Sequence, residues 1–312
     1  MFYKNVSLVT LLVVFLYACG GGDPSSENDA RPLLALDSNN ASLVAISTLE
    51  DIDYFLRQTF ELLERVDVVS SNPSSFDPYP CTGAAEEVDY FGDTSTAIAA
   101  GDVFGIDLDG CSVLGGILDG GVTLSFSFVN ADAPFNSYIG RIDFSDLELV
   151  FSSGDSITLD GILDYGIDVT SGEQAILIED SNLDVVRHDG IPANQVTKNY
   201  RNLDLEWSLE FASDLLLEID GLDIDSEAFD GSFSVRTPTE VERPVTDTFP
   251  TLGVLLFEGG SNSSYRLTAD AADNSTLLQS LDSDGNGEDA VQPATAPTWQ
   301  ELFPEDFLVP IP

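Results

Sequence analysis

Apolar and polar residues alternate with two different periods, which divide the chain into a helical part and a β-rich part. Between residues 47 and 69 the apolar side chains recur every three or four positions, as on one face of an amphipathic α-helix. Ser47 and Glu50 have the spacing of a capping box, so we expect the helix to begin there. The residues of the predicted apolar face are Leu49, Ile52, Phe55, Leu56, Phe60, Leu63 and Val66.

From Cys81 onwards the period is two residues, which is typical of antiparallel strands with one buried and one wet face. Ser-Gly and Asp-Gly pairs between the runs indicate tight turns. Two runs change phase, one near Ser145–Asp146 and one near Gly221, and this predicts β-bulges. The predicted inward-facing residues include Val122, Leu124, Phe126, Phe128, Leu203, Leu205, Trp207, Leu209 and Phe211.

These patterns predict a mainly β fold: a large curved antiparallel sheet or half-closed barrel of about a dozen strands, with one N-terminal amphipathic helix. A sheet of this width does not stay flat, and a single helix is available to cover it. A two-sheet β-sandwich is the alternative. We expect the antiparallel β domain over residues 81–248. A smaller unit over residues 249–312 would hold short hairpin strands, an acidic loop and a helical turn.

The charge of the chain indicates which side of the strands is wet. The sequence contains 55 Asp+Glu against 11 Lys+Arg, a net charge of -44. Asp160, Asp164 and Asp168 lie opposite apolar positions of one strand, so we interpret them as a solvated face, with a cation-binding surface as the alternative. Nucleic acid is excluded as a partner because phosphate binding needs clustered Lys and Arg.

The first residues form a secretory signal. Lys4 precedes the apolar run 6–17, which is shorter than the roughly 20 residues that a spanning helix needs. The residues Leu16-Tyr17-Ala18-Cys19 that follow resemble the lipobox of bacterial lipoproteins. An ordinary signal peptide with an unrelated cysteine is the alternative.

The lipoprotein resemblance implies a modified cysteine and an address. Residues 1–18 would be the signal peptide, and Cys19 would carry acyl chains such as palmitate on its sulfur and its amino group. Residues 19–46 would form a lipidated flexible tether. Gly20 after the cysteine fits sorting to the outer membrane of a Gram-negative bacterium, with the folded part on the periplasmic side.

The two other cysteines then form an even pair. An exported protein with three cysteines has one left over unless Cys19 carries lipid, which leaves Cys81 and Cys111 to form a disulfide. No CxxC spacing is present, so a redox or zinc role has no support.

An acidic segment near the C-terminus resembles the start of an EF-hand-type calcium loop. Oxygen ligands stand at positions 1, 3 and 5 and a glycine at position 6, but Pro293 stands where the bidentate Glu should be. The alternative is an acidic hairpin turn. No other cofactor is expected. The candidate calcium ligands are Asp282, Asp284, Asn286, Glu288 and Asp289.

Catalytic motifs are absent from the sequence. His188 is the only histidine, and neither a Gly-x-Ser-x-Gly elbow nor a Gly-rich phosphate loop occurs. We therefore expect a non-enzymatic cell-envelope lipoprotein with a structural or interaction role, held at the membrane by its lipid anchor. The alternatives are a periplasmic binder or carrier of lipid or another apolar ligand in a concave sheet, and a hydrolase without a recognisable motif. The sequence identifies neither a protein partner nor an apolar ligand.

Overall fold

Twelve antiparallel strands form one sheet in which the spatial order of the strands is their order along the chain, a continuous meander. The computed structural model describes residues 31–69, 81, 85–92, 97–113, 116–130, 136–170, 173–189, 195–210, 214–247, 249–269, 277–287 and 302. The helix is α1 (Ala41–Val69). The strands are β1 (Ala85–Phe91), β2 (Val103–Val113), β3 (Gly116–Asn130), β4 (Asn136–Phe151), β5 (Ser156–Thr170), β6 (Glu173–His188), β7 (Gln195–Glu210), β8 (Asp214–Ser226), β9 (Gly231–Pro244), β10 (Leu252–Glu258), β11 (Ser264–Ala269) and β12 (Leu277–Asp282).

The predicted fold class is confirmed. Within the described residues β1 pairs with β2 alone and β12 with β11 alone, so the sheet is not closed into a barrel. The two-sheet sandwich is wrong, because all twelve strands belong to the same sheet. A meander joins neighbouring strands through hairpins, and the alternation of buried and exposed side chains sets the pairing register between successive bulges.

A row of β-bulges crosses the middle of the sheet from β2 to β7. On each of these six adjacent strands the pairing register shifts near a residue with positive φ. A bulge bends its strand and increases the local twist, so an aligned row bends the whole sheet. The bulge near Asp146 and the register shift at Gly221 confirm the two predicted changes of phase. The positive-φ residues are Gly110, Gly120, Asp146, Gly161, Asp180 and Asn202.

The bent sheet wraps around α1. A flat sheet of twelve strands would be about 50 Å wide, whereas a helix is about 10 Å across. Buried apolar side chains nevertheless lie on one face of every strand from β2 to β12, and they share a single core with α1. Of the α1 side chains that the structure describes, Leu43 and Glu50 alone are exposed. The sheet therefore curves around the helix.

The helix begins earlier than the sequence pattern predicted. It starts at Ala41, after a reciprocal cap in which Asp37 Oδ1 accepts the backbone N–H of Asn40 at 3.2 Å and Asn40 Oδ1 accepts that of Asp37 at 2.9 Å. The capping box predicted at Ser47 and Glu50 is wrong, because both residues lie inside the helix.

The residues before α1 correct the predicted tether. Leu34 N–H donates to the Ser232 carbonyl at 2.8 Å, and the Gly260 N–H donates to the Leu34 carbonyl at 2.7 Å. Arg31 binds Asp225 at 2.5 Å. Because Leu34 and its neighbours carry apolar side chains that pack on the core, residues 31–46 belong to the folded part. Residues 19–30 lie outside the described residues.

The C-terminal strands extend the main sheet instead of forming a smaller unit. β10 pairs with β9, and β11 and β12 follow in the same sheet, so the predicted boundary at residue 249 is wrong. The short strands themselves were predicted correctly. Their apolar residues complete the core, which is why they do not separate. Of the predicted helical turn at 298–303, only Leu302 lies within the described residues, and it is fully buried.

Candidate functional site

The helix and the sheet meet in a buried ionic cluster that the sequence pattern did not single out. Its centre is Asp51, whose side chain is 1% exposed and lies on the face of α1 that also carries Thr48 and Phe55. The sheet contributes Arg187 at the end of β6 and Lys198 from the start of β7, which lie two positions apart across the antiparallel pair.

Three donors from the sheet converge on the Asp51 carboxylate. Oδ1 accepts a hydrogen bond from Arg187 Nε at 2.6 Å. Oδ2 accepts hydrogen bonds from Lys198 Nζ and from Tyr200 OH, both at 2.7 Å. The ring of Phe55 packs edge-on against Tyr200, with centroids 6.1 Å apart. One helical carboxylate therefore joins α1 to two neighbouring strands.

Lys198 is fully hydrogen-bonded although its side chain is 3% exposed. Besides Asp51, its Nζ donates to the Ser47 carbonyl at 2.8 Å and to the Ser47 hydroxyl. These are the three bonds that an ammonium group can donate. Burial lowers the pKa of Lys198, and Arg187 adds to this, although the charge of Asp51 and its hydrogen bond act in the opposite direction.

The other two donors respond to the same surroundings. Burial acts to lower the pKa of Arg187, but the charge of Asp51 and its hydrogen bond outweigh it and raise that pKa. Burial, followed by the Asp51 charge, raises the pKa of Tyr200 well above its ordinary value. Tyr200 therefore remains a neutral phenol that donates a hydrogen bond to Asp51.

The geometry suits anchoring better than catalysis. A general base needs a free lone pair that faces a reacting group, whereas Lys198 directs its three N–H groups to acceptors within the protein. The Ser47 hydroxyl and the Lys198 amine are the two groups that a catalytic Ser–Lys pair uses. Here, however, Lys198 is also bound to Asp51, and the side chains of Lys198 and Asp51 are almost inaccessible to solvent. The cluster thus holds the helix at one position in the sheet.

Two signals in the sequence could have revealed this cluster. Lys198 stands between Val196 and Tyr200 at alternate positions of β7, which places its side chain on the same face as Tyr200. Asp51 precedes Phe55 by four residues, so it lies on the apolar face of the helix. A charged residue at such a position predicts a buried ion pair.

The cysteine pairing agrees with the structure. Cys81 and Cys111 form a disulfide with their Cα atoms 5.0 Å apart, and it attaches the chain after α1 to strand β2. Cys111 is fully buried in the core. Cys19, the predicted lipidation site, lies outside the described residues.

The candidate calcium loop forms a network of turns. The Asp282 carboxylate accepts the backbone N–H of Gly285 at 2.8 Å and that of Gly287 at 3.1 Å. Burial acts to raise the pKa of Asp282, but these backbone donors outweigh it and lower the pKa. Asp284 accepts the Asn286 N–H at 3.2 Å. Within the described residues no group of three or more His, Cys, Asp or Glu could hold a metal ion. Glu288 and Asp289 lie outside them.

The acidic side of the strands is the wet side, as predicted. Asp164 on this outer face forms two hydrogen bonds with Arg141, at 2.7 and 2.8 Å, and Asp168 accepts one from Ser137 at 2.8 Å. Burial and the neighbouring carboxylates, Asp146 first among them, raise the pKa of Asp160. Like charges therefore crowd together along the bulge row.

The remaining sequence candidates occupy ordinary positions. His188 ends β6, is partly exposed and pairs with Gln195 in the strand ladder. Leu203, Leu205 and Trp207 face the core and are at most 1% exposed. Phe211 lies outside the described residues.

Comparison of the chain with known protein families, with curated protein sequences and with solved structures finds no match. In the part of the chain that the structure describes, no helix combines the length and the apolar character needed to cross a membrane.

Proposed function

We propose that the protein is a lipid-anchored protein of the cell envelope with a structural or interaction role and no enzymatic activity. The observation that carries this proposal is the lipobox-like sequence Leu16-Tyr17-Ala18-Cys19 behind a short apolar run. The packing of Arg31 and the residues after it on the sheet supports a shorter tether than the sequence predicted. Residues 20–30 reach at most about 40 Å when extended, which would keep the folded part near the bilayer.

The non-enzymatic part of the proposal is supported by the Asp51 cluster. The Asp51 and Lys198 side chains are at most 3% exposed, and the Asp51 carboxylate and the Lys198 ammonium group bind groups within the protein. A reactive site keeps at least one such group available to substrate.

The test is the modification state of Cys19. The full chain is expressed with its own signal in a Gram-negative host, and the mature protein is analysed by intact mass and by labelling with an alkynyl fatty acid. We expect a mature chain that begins at Cys19, carries acyl chains and fractionates with the outer membrane. The matched variant Cys19→Ser should carry no label. An unmodified Cys19, or cleavage at another site, would contradict the proposal.

The segment 282–287 is proposed as an acidic turn, and calcium binding is the outcome that would replace this interpretation. Calorimetric titration with calcium compares the full chain with the double variant Asp282→Ala, Asp284→Ala. If the segment is an acidic turn only, titration with calcium should give the same heat for both proteins. A saturable heat that the double variant loses would identify a calcium site instead.

The carrier alternative depended on an apolar sheet face that the helix leaves uncovered. Tyr200, Leu203, Leu205 and Trp207 of β7 are buried in the core that the sheet shares with α1, so no observation in the described residues favours it. Native mass spectrometry of the protein extracted from the envelope should show only the anchor acyl chains. A further bound lipid would restore the carrier hypothesis.

A further inference from the structure

The outer face of the sheet carries an apolar patch that a β-bulge creates. Phe128 continues the inward-facing series that ends with Phe126, and the sequence pattern predicted it to be buried. The register of β3 against β4 shifts between these two residues, so Phe128 faces solvent and is 48% exposed. A bulge reverses the direction of the side chains beyond it, and bulges often redirect a side chain at functional sites.

Phe128 has apolar neighbours on the outer face. It pairs with Ile139 of β4, which is 51% exposed, and Ile139 pairs with Gly166 of β5. Gly166 in turn pairs with Leu177 of β6, which is partly exposed. Phe128, Ile139 and Leu177 form the outer patch. Paired side chains on one face lie about 5 Å apart, so Phe128 and Ile139 are in contact range.

Gly166 leaves a recess inside the outer patch. A Cβ atom at this position would lie 3.9 Å from Leu177 Cβ, and no closer atom surrounds it. The missing side chain therefore opens a gap between Ile139 and Leu177. A gap of this kind on a sheet can accept one apolar side chain of a partner.

Carboxylates surround the outer patch. Asp164 and Asp168 lie on either side of Gly166 on β5, and Glu179 and Glu206 lie beside Leu177. The one cation among these neighbours, Arg141, is already bound to Asp164 by two hydrogen bonds. An apolar group that docks here thus enters a negative field, which favours a partner with positive charges beside it.

We propose that the outer patch is a docking site for a polypeptide segment that presents an apolar side chain flanked by Lys or Arg. A second copy of this chain is a poor occupant. Its net charge is -44, so two acidic faces would repel each other. The exposed apolar area is small, and we expect weak, reversible binding with a marked salt dependence.

The experiment uses the full mature chain with labelled Ile and Leu methyl groups and three synthetic peptides. One peptide has a phenylalanine between two pairs of lysines, the second has serine in place of phenylalanine, and the third has glutamates in place of the lysines. We expect saturable shifts of the Ile139 and Leu177 methyl signals with the first peptide only. Phe128→Ser should weaken this binding about tenfold.

Matched controls separate docking from unfolding and from self-association. Leu278→Ser removes a side chain that is 42% exposed on β12 and should leave peptide binding unchanged. Phe128→Ser should remain fully folded and lose at most about 1 kcal/mol of stability, because it removes one half-exposed cross-strand pair. Equal shifts with the serine or the glutamate peptide would overturn the proposal. Concentration-dependent dimerisation that Phe128→Ser abolishes would also overturn it, because the occupant would then be a second copy.

Discussion

The Asp51 cluster predicts a large loss of stability from one isosteric substitution. Asp51→Asn removes the charge but retains the shape of the side chain. The Lys198 ammonium would then remain 3% exposed beside Arg187, with neutral acceptors only. Breaking a buried ion pair by removing one partner costs about 3–5 kcal/mol. Because asparagine still accepts one hydrogen bond, we expect a loss of about 3 kcal/mol in the free energy of unfolding.

The matched control is an ion pair on the outer face. Asp164 pairs with Arg141 at 2.7 Å, a distance like those in the cluster, but the two side chains are 40% and 52% exposed. Water and salt screen such a pair, so Asp164→Asn should cost at most about 1 kcal/mol. The comparison between the two variants isolates the effect of burial.

Urea unfolding at constant ionic strength, followed by tryptophan fluorescence, to which buried Trp207 contributes, measures both effects. The double variant Asp51→Asn, Lys198→Met should be about 2 kcal/mol more stable than the sum of the two single losses predicts, because neither partner is left charged alone. Equal unfolding midpoints for Asp51→Asn and Asp164→Asn would refute the reasoning. Strict additivity in the double variant would refute it as well.

Three further outcomes follow from the strands. Gly161→Ala should lower the free energy of unfolding by about 1–3 kcal/mol, because the φ of Gly161 is 134° and a Cβ would lie 2.5 Å from the Asn182 carbonyl oxygen. The control Gly105→Ala should cost less in the same urea assay, because the atoms nearest to its Cβ would be 3.9 Å away. Replacing both Cys81 and Cys111 by Ala should cost roughly 3.5 kcal/mol, since the disulfide closes a loop of 30 residues, and an unchanged thermal midpoint would contradict this. The raised pKa of Asp160 means that its charged form destabilises the folded state at neutral pH. This loss is recovered as the pH falls through the raised value towards 3.8, so Asp160→Asn should stabilise the protein by a few tenths of a kcal/mol at pH 7 and low salt. The gain should vanish near pH 3 and become smaller in 1 M NaCl, which screens the neighbouring carboxylates but leaves the effect of burial.

The local periodicity of apolar residues was sufficient to predict most of the strands of the sheet. Alternation of apolar and acidic residues depends only on the geometry of a strand, so runs such as Leu203–Trp207 could be assigned to buried positions from the sequence. The phase change at Ser145–Asp146 revealed a bulge for the same reason. Such signals are local, and the tertiary structure did not alter them.

The predictions from the sequence were wrong where the outcome depended on contacts between segments that are distant along the chain. The start of α1 depended on the reciprocal cap of Asp37 and Asn40 and on the packing of Ala41 and Val44 against the sheet. The boundary at 249 failed because pairing between β9 and β10 continues the sheet, and pairing between strands is not visible in the composition of either one. Phe128 was predicted to face the core, because its pattern cannot show a bulge that only the pairing with β4 produces.

The sequence by itself determined the acidic outer face and the antiparallel strands, because the alternation of side chains is set by neighbours along the chain. Its cysteine count named Cys81 and Cys111 as candidate disulfide partners, and the secretory signal stays a prediction. The tertiary structure alone decided which charges are buried. Asp51 and Lys198 are separated by 147 residues in the sequence, and only the curvature of the sheet around α1 brings them within 2.7 Å of each other. The same curvature removes water from this pair, whereas the carboxylates on the outer face, such as Asp164, stay in contact with water. This difference makes Asp51 an anchor and the outer-face carboxylates a solvated surface.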